Sequence, residues 1–318
     1  MKNDTSRRVN VIVLGTGNAT ANFIKKNYNN SFIRIIGIIL DNSVREDERK
    51  DFVRELYLCI PSSIPMMNLC KESLALADII FSPEYRRIIP DEYCEKFLMV
   101  NCHGGILPKW RGFAANAWAI MNGEKEIGYS IHRITPELDG GEVYFIKQIP
   151  IAEDETYSDV HNLMIESIIQ DVPKVLYDIV NRNTTYIKQS KRDGVAYCTK
   201  FNAEMGNLKD FAMCSKYYVN LYRCMAKPLG TGVYFVYKGN KYFVDKIEPG
   251  IRYGSINYIC TPGKIVNIER NCLWVKTLDN VIVLSGISVN GVKLNVREYF
   301  INGINISSDF NTCFPITD

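Results

Sequence analysis

None of the ten cysteines forms a CxxC pair, histidine occurs only three times, no hydrophobic run could span a bilayer, and the net charge is +3. Each scarcity excludes something. Cys59, Cys94, Cys102, Cys214 and Cys272 show no ligand spacing, which points away from a zinc site or a thioredoxin-like centre and towards buried thiols in a reducing compartment. His103, His132 and His161 lie too far apart for a helical HxxxH zinc pair, so no metal is expected. The apolar run IIGIIL at 35–40 is too short for a membrane span, and MKNDTSRRVN lacks a signal-peptide core. The expectation is a cytoplasmic protein without a membrane partner. With 38 Lys+Arg against 35 Asp+Glu, nucleic acid is not an expected partner either, and a small-molecule substrate comes first. Internal repeats and low-complexity tracts are also missing.

What is present is length and pattern. At 318 residues the chain can bury two cores, and 47% apolar with 23% charged residues is ordinary globular composition. RVNVIVLGTGNATANFIKKNY reads as strand, glycine turn and helix; FIRIIGIILD, ADIIFS and KFLMVNCH add apolar strands with helix-compatible segments between. This alternation predicts an α/β fold with a Rossmann-like, mostly parallel sheet, with GYSIHRI and GEVYFIKQIPI as two more strands at its edge. A helix follows from about Tyr157 to Val180. The stretch Thr184 to Met205 is polar and aperiodic, CSKYYVNLYRCMA suits a helix, and the rest is short strands with turns at Gly239-Asn240 and Asp279-Asn280. The boundaries predicted are a first domain at 1–190, a linker at 191–206 and a small β domain at 207–318.

FLMVNCHGGILPKWRGFAAN, at 97–116, ends an apolar run on an amide and an imidazole two residues apart. On a strand, Asn101 and His103 share a face and Cys102 takes the other. The carboxyl end of an α/β strand is where ligands bind. Gly15-Thr16-Gly17 marks the first strand-to-helix turn; Thr20 stands where a dinucleotide fingerprint wants a small residue, leaving a tight turn or a phosphate seat involving Gly15 and Asn18. His132 and His161 read as buried, structurally satisfied histidines. Asp139, in TPELDGG, is either turn chemistry or a partner of His103.

Taken together and in this order, NCH, LPKWRG and HRITPELDGG resemble the 10-formyltetrahydrofolate-dependent formyltransferases. FSPEYRRII at 81–89 and NGEKEIGYSIHRI are similar to the branch that formylates nucleotide-linked amino sugars, of the UDP-4-amino-4-deoxy-L-arabinose formyltransferase type. NLKDFAMCSKYYVNLYRCMAKPLGTGVYF and REYFING resemble the OB-like C-terminal domain of methionyl-tRNA formyltransferase and of some sugar enzymes. Two positions depart from the pattern: Gly105 replaces a Ser usual in the tRNA enzymes, and Phe113 replaces an Arg of the arabinose enzyme.

The resemblance implies catalysis by Asn101, His103 and Asp139: Asn101 as donor to the developing oxyanion, His103 as proton donor to the departing folate nitrogen, and Asp139 raising the pKa of His103. It implies a 10-formyltetrahydrofolate co-substrate held by Arg87, Ile88, Ile89 and Phe113, with Thr135, Pro136, Glu137 and Leu138 around the pterin. For the acceptor, a nucleotide-linked amino sugar destined for lipopolysaccharide, O-antigen or another surface glycan, Gly15, Asn18, Tyr85, Trp110 and Arg111 are the candidate contacts. The C-terminal domain is expected to be structural or to form a homodimer. Methionyl-tRNA formylation is the main alternative, and a Rossmann-like binding protein without activity a lesser one.

Overall fold

The computed structural model describes residues 7–60, 64–190, 194–250 and 258–307. Residues 191–193 of the expected linker, and Cys313, lie outside them. Contacts divide the chain into two compact units, one of 1–116, 126–150 and 162–199, the other of 117–125, 151–161 and 200–318.

In chain order the first part runs β1 (Val9–Gly15), α1 (Asn18–Asn27), β2 (Ile33–Ile39), α2 (Glu46–Tyr57), β3 (Met66–Met67), α3 (Lys71–Leu74), β4 (Ile79–Glu84), α4 (Asp91–Lys96) and β5 (Met99–His103). It continues with β6 (Trp110–Gly112), α5 (Ala115–Met121), β7 (Glu126–Arg133), β8 (Val143–Pro150), α6 (Tyr157–Val180) and β9 (Ala196–Cys198). Seven strands form one sheet in the order β3-β2-β1-β4-β5-β7-β8, parallel through β5 and antiparallel at β7 and β8. The expected sheet is therefore present, with the two added strands at its edge. Val11, Ile12, Val13 and Leu14 are all fully buried, so β1 is covered on both faces, as a central parallel strand should be. Each such side chain contributes roughly 1.5–3 kcal/mol by leaving water.

The acid- and base-rich segment after β2 is a helix, α2, laced by the exposed pairs Lys50–Glu46 at 2.7 Å and Arg54–Asp51 at 3.0 Å. The aperiodic 184–205 stretch is more than a connection. It supplies β9, which pairs in parallel with β6 and aligns Arg111 with Tyr197. A three-residue strand is too short to show a period in the sequence.

The second unit takes α7 (Ser215–Met225), then β10 (Val233–Tyr237), β11 (Asn240–Val244), β12 (Lys246–Pro249), β13 (Ile265–Glu269), β14 (Cys272–Lys276), β15 (Val281–Ser285), β16 (Ser288–Val289) and β17 (Val292–Lys293). These strands make two antiparallel four-stranded sheets, β10-β11-β16-β17 and β12-β15-β14-β13. Lys238 and Gly239, both at positive φ, close the β10–β11 hairpin, and Arg270 and Asn271 do the same between β13 and β14. No helix of the described residues is long and apolar enough to cross a membrane.

Candidate active site

Strand β5 delivers Asn101 and His103 to one place, and antiparallel β7 lies against it with Asn101 opposite His132 and His103 opposite Ser130. The loop after β7 then returns Asp139. Its backbone sits at φ 47°, a left-handed conformation that Asp tolerates better than most side chains, which is what the TPELDGG turn provides.

Two imidazoles flank this one carboxylate. His103 Nδ1 lies 3.5 Å from Asp139 Oδ2, and His132 Nε2 lies 3.4 Å from Asp139 Oδ1. The far nitrogen of each ring meets a backbone carbonyl: His103 Nε2 that of Trp110 at 2.7 Å, His132 Nδ1 that of Arg133 at 2.8 Å. Because a carbonyl only accepts, each far nitrogen carries the proton. Asn101 Nδ2 stands 3.2 Å from His132 Nε2, and the Gly112 amide donates to Asp139 Oδ2 at 2.8 Å. Gly112 reaches that position at φ 90°, where a side chain would be strained.

Asp139 raises the pKa of His103 as expected, but the net shift is downward. Burial lowers the pKa of His103, and this outweighs the opposing pull of Asp139; the neighbouring His132 lowers it further. Burial thus favours the neutral imidazole. For Asp139, burial pushes the carboxyl up, but the two flanking imidazoles and the Gly112 amide bring it down to about 2.

Behind the site, Arg111 is 1% exposed and its guanidinium is fully engaged. It donates to Gln189 Oε1 at 2.9 and 3.2 Å, to Glu137 at 2.7 Å and to the Tyr197 hydroxyl at 3.3 Å. Gln189 in turn donates to the carbonyls of Asp139 at 2.8 Å and Gly141 at 2.6 Å. Arg111 is therefore a brace for the Asp139 loop and not an acceptor contact, because a buried guanidinium must be paired. Glu137, expected at the pterin, has its carboxylate on Arg111. Ser130 serves the other loop, accepting from Leu107 N–H at 3.0 Å and donating to the Gly105 carbonyl at 2.7 Å.

Other expected contacts divide. Phe113, Pro136 and Leu138 are exposed on the loops that meet at the Gly112–Asp139 hydrogen bond, an apolar rim suited to a flat ring, with Thr135 half-buried beside them. Arg87 and Ile88 are exposed and, with the half-buried Tyr85, line a cavity of about 500 Å³ that also includes Asn42 and Asn68. The side chain of Ile89 instead packs into the core with Ile12, Leu14 and Ile80, which leaves only its backbone for a ligand. Trp110 is 8% exposed, so it contributes its carbonyl to His103 and not an open aromatic face.

The glycine turn is also corrected. Glu84, at the end of β4, accepts from the first-turn amides of α1, Ala19 at 3.1 Å and Thr20 at 3.4 Å, and burial raises its pKa. A protein carboxylate thus occupies the seat that a phosphate near Gly15 and Asn18 would need. Asp41, past the end of β2, accepts from Ser43 and from the Arg86 amide at 2.8 Å, so it too is engaged internally.

Sequence reading missed His132, Gln189, Ser130 and Glu84. Ser130 and His132 carried a signal, since they alternate on β7 opposite the β5 pair; Gln189 lies in an aperiodic stretch and carried none. Among the described residues no cluster of His, Cys, Asp or Glu could hold a metal.

Residues 68–176, which include all of the flanking β5 and β7 chemistry, match the family model described as formyl transferase. Methionyl-tRNA formyltransferase of Mycoplasma capricolum is 28% identical over 229 residues, covering 71% of this chain and 70% of that protein. Among solved structures, an N-formyltransferase from Helicobacter canadensis in complex with folinic acid and dTDP-3-aminofucose superposes with a TM-score of 0.63 at 18% identity, covering 88% of this chain and 100% of that one. HypX from Aquifex aeolicus, in a variant form, gives a TM-score of 0.59 at 17% identity over 92% of this chain; the chain spans 47% of HypX. Both structures share the fold.

Proposed function

We propose that this chain, whose residues 68–176 are a formyl transferase domain, moves the formyl group of 10-formyltetrahydrofolate to the amine of a nucleotide-linked amino-deoxy sugar. The observation that carries formyl transfer is the convergence of Asn101, His103 and Asp139 at the carboxyl end of β5. Asn101 donates to the formyl oxygen as it gains negative charge, an effect worth on the order of 10²–10³ in rate for a preorganised donor. His103, neutral at rest, takes a proton from the attacking amine, and Asp139 stabilises the charge gained. As the bond from the amine to the formyl carbon forms and that to the folate nitrogen breaks, the proton passes to the folate nitrogen. The rim of Phe113, Pro136 and Leu138 suits the pterin, and the cavity beside Tyr85, Arg87 and Ile88 supplies further surface.

Support for a sugar acceptor comes from three lysines of the second unit. Lys241 pairs with Glu204 at 3.4 Å, Lys246 with Glu248 at 2.9 Å, and Lys293 with Asp245. Lysines already paired with carboxylates are poorly placed to neutralise many phosphates, as tRNA binding requires. A catalytic domain at 1–190, a linker at 191–206 and a largely structural OB-like domain at 207–318 complete the proposal. The second reading is methionyl-tRNA formylation, favoured by the 28% identity to the Mycoplasma capricolum enzyme. The test incubates the protein with 10-formyltetrahydrofolate and, in parallel, UDP-, dTDP-, GDP- and CMP-linked amino sugars and methionyl-tRNA, following the mass gain of one formyl group. Labelling of a sugar is expected. Labelling of methionyl-tRNA with every sugar untouched would overturn the acceptor assignment.

A further inference from the structure

We propose that His132 is a positioning residue that fixes the amide of Asn101, an inference that rests on the formyl-transfer role given to Asn101 above. The two stand directly opposite on antiparallel strands β5 and β7. His132 is 3% exposed, and its Nδ1 is 2.8 Å from the Arg133 carbonyl. A ring with a single proton therefore carries it on Nδ1, which leaves Nε2 as a bare acceptor. Asn101 Nδ2, 3.2 Å away, donates one of its two hydrogens to that acceptor and keeps the other for the formyl oxygen. Rotating the amide by half a turn would place its oxygen against the Nε2 lone pair in a buried site, an arrangement without a hydrogen bond. The imidazole thus selects the orientation in which Asn101 remains a donor.

The same nitrogen has a second neighbour, Asp139 Oδ1, at 3.4 Å. One nitrogen cannot serve both. Bare, it accepts from Asn101; protonated, it donates to Asp139 and Asn101 loses its acceptor. The groups facing His132 are Asn101 and His103 from β5, the latter ring edge-on at 6.2 Å between centroids, the Arg133 carbonyl on β7 itself, and Asp139 from the following loop.

Two substitutions separate orientation from packing. In the full-length protein, His132→Asn retains a donor near the Arg133 carbonyl but nothing at the Nε2 position, whereas His132→Gln places an amide oxygen near Nε2. With 10-formyltetrahydrofolate and the acceptor found above, His132→Asn should lower kcat by about 10- to 100-fold, the scale of a misplaced catalytic group. KM for the folate should stay unchanged, and His132→Gln should recover most of the loss. Asn101→Ala combined with His132→Asn should fall no further than Asn101→Ala alone. Normal kcat in His132→Asn, equal loss in the Gln variant, or additive losses in the double variant would overturn the proposal. An activity-independent readout is long-range ¹⁵N NMR of the unsubstituted protein without substrate, where Nδ1 should be protonated and Nε2 bare near pH 8. An Nε2-protonated tautomer overturns the proposal even if no acceptor is ever formylated. The expected tautomer in a protein that formylates nothing would instead sink the functional reading.

Discussion

Arg111 and Gln189 meet at 2.9 Å beneath the Asp139 loop, joining a buried guanidinium to an amide that also holds the carbonyls of Asp139 and Gly141. Removing the amide in Gln189→Ala would leave Arg111 short of an acceptor and two carbonyls short of a donor. A loss of about 1–3 kcal/mol is expected from unsatisfied groups of this kind. Because the loop carries Asp139, kcat should fall as well. A denaturant melt and steady-state rates on one preparation measure both; unchanged values in each would show that Gln189 braces nothing.

Asn101→Ala, His103→Ala and Asp139→Ala should each lower turnover by at least about a hundredfold, the scale for losing a preorganised donor. The fold should persist, since polar strand-end residues carry little of the core. Circular dichroism beside the rates checks this, and near-normal turnover in His103→Ala would end the proton-transfer assignment.

Gly105 is predicted to be irreplaceable for a steric reason. A Cβ there would lie 2.6 Å from His103 Nε2, 2.7 Å from Ala115 Cβ and 2.9 Å from the Trp110 carbonyl. Gly105→Ser should therefore push the imidazole off that carbonyl, destabilising the protein by about 1–3 kcal/mol, as overpacking does, and lowering kcat. Wild-type stability and rate in this variant would mean that the loop has room to move.

Stability should decline with acidification in two phases. His103 has a lowered folded pKa, so the unfolded chain binds its proton first, and stability should fall as pH drops below the ordinary value of 6.5. Asp139 is also lowered, from 3.8 to about 2, so its contribution is full above 3.8 and lost as pH falls towards 2. Denaturant midpoints between pH 8 and pH 3 follow the first phase and the onset of the second. His161, also lowered by burial, contributes in the same window, so His103→Gln should shrink the upper phase without abolishing it, and an undiminished phase in that variant would assign it elsewhere.

Much of this was legible in the sequence because it rests on period. β1, β2, β4 and β5 are apolar runs between helical segments, and α6 spans Tyr157–Val180 as its amphipathic repeat indicates. The same logic put Asn101 and His103 on one face, while Asp139 needed the family resemblance to join them. What stayed hidden depends on pairing across long separations. Arg111 looks like a surface cation in LPKWRG until β9, 85 residues on, covers it. Gln189 and Glu84 act through contacts that no local pattern encodes, and the burial that favours a neutral His103 is a property of the folded site alone.

Glu84 gives the glycine turn a counter-ion of its own. The seat lies between β1 and β4, where the sheet order reverses direction and where open α/β sheets usually receive a phosphate-bearing guest. Any incoming phosphate would have to evict a desolvated carboxylate against mutual repulsion. The glycine turn is thereby disfavoured as a seat for dinucleotides or free phosphate.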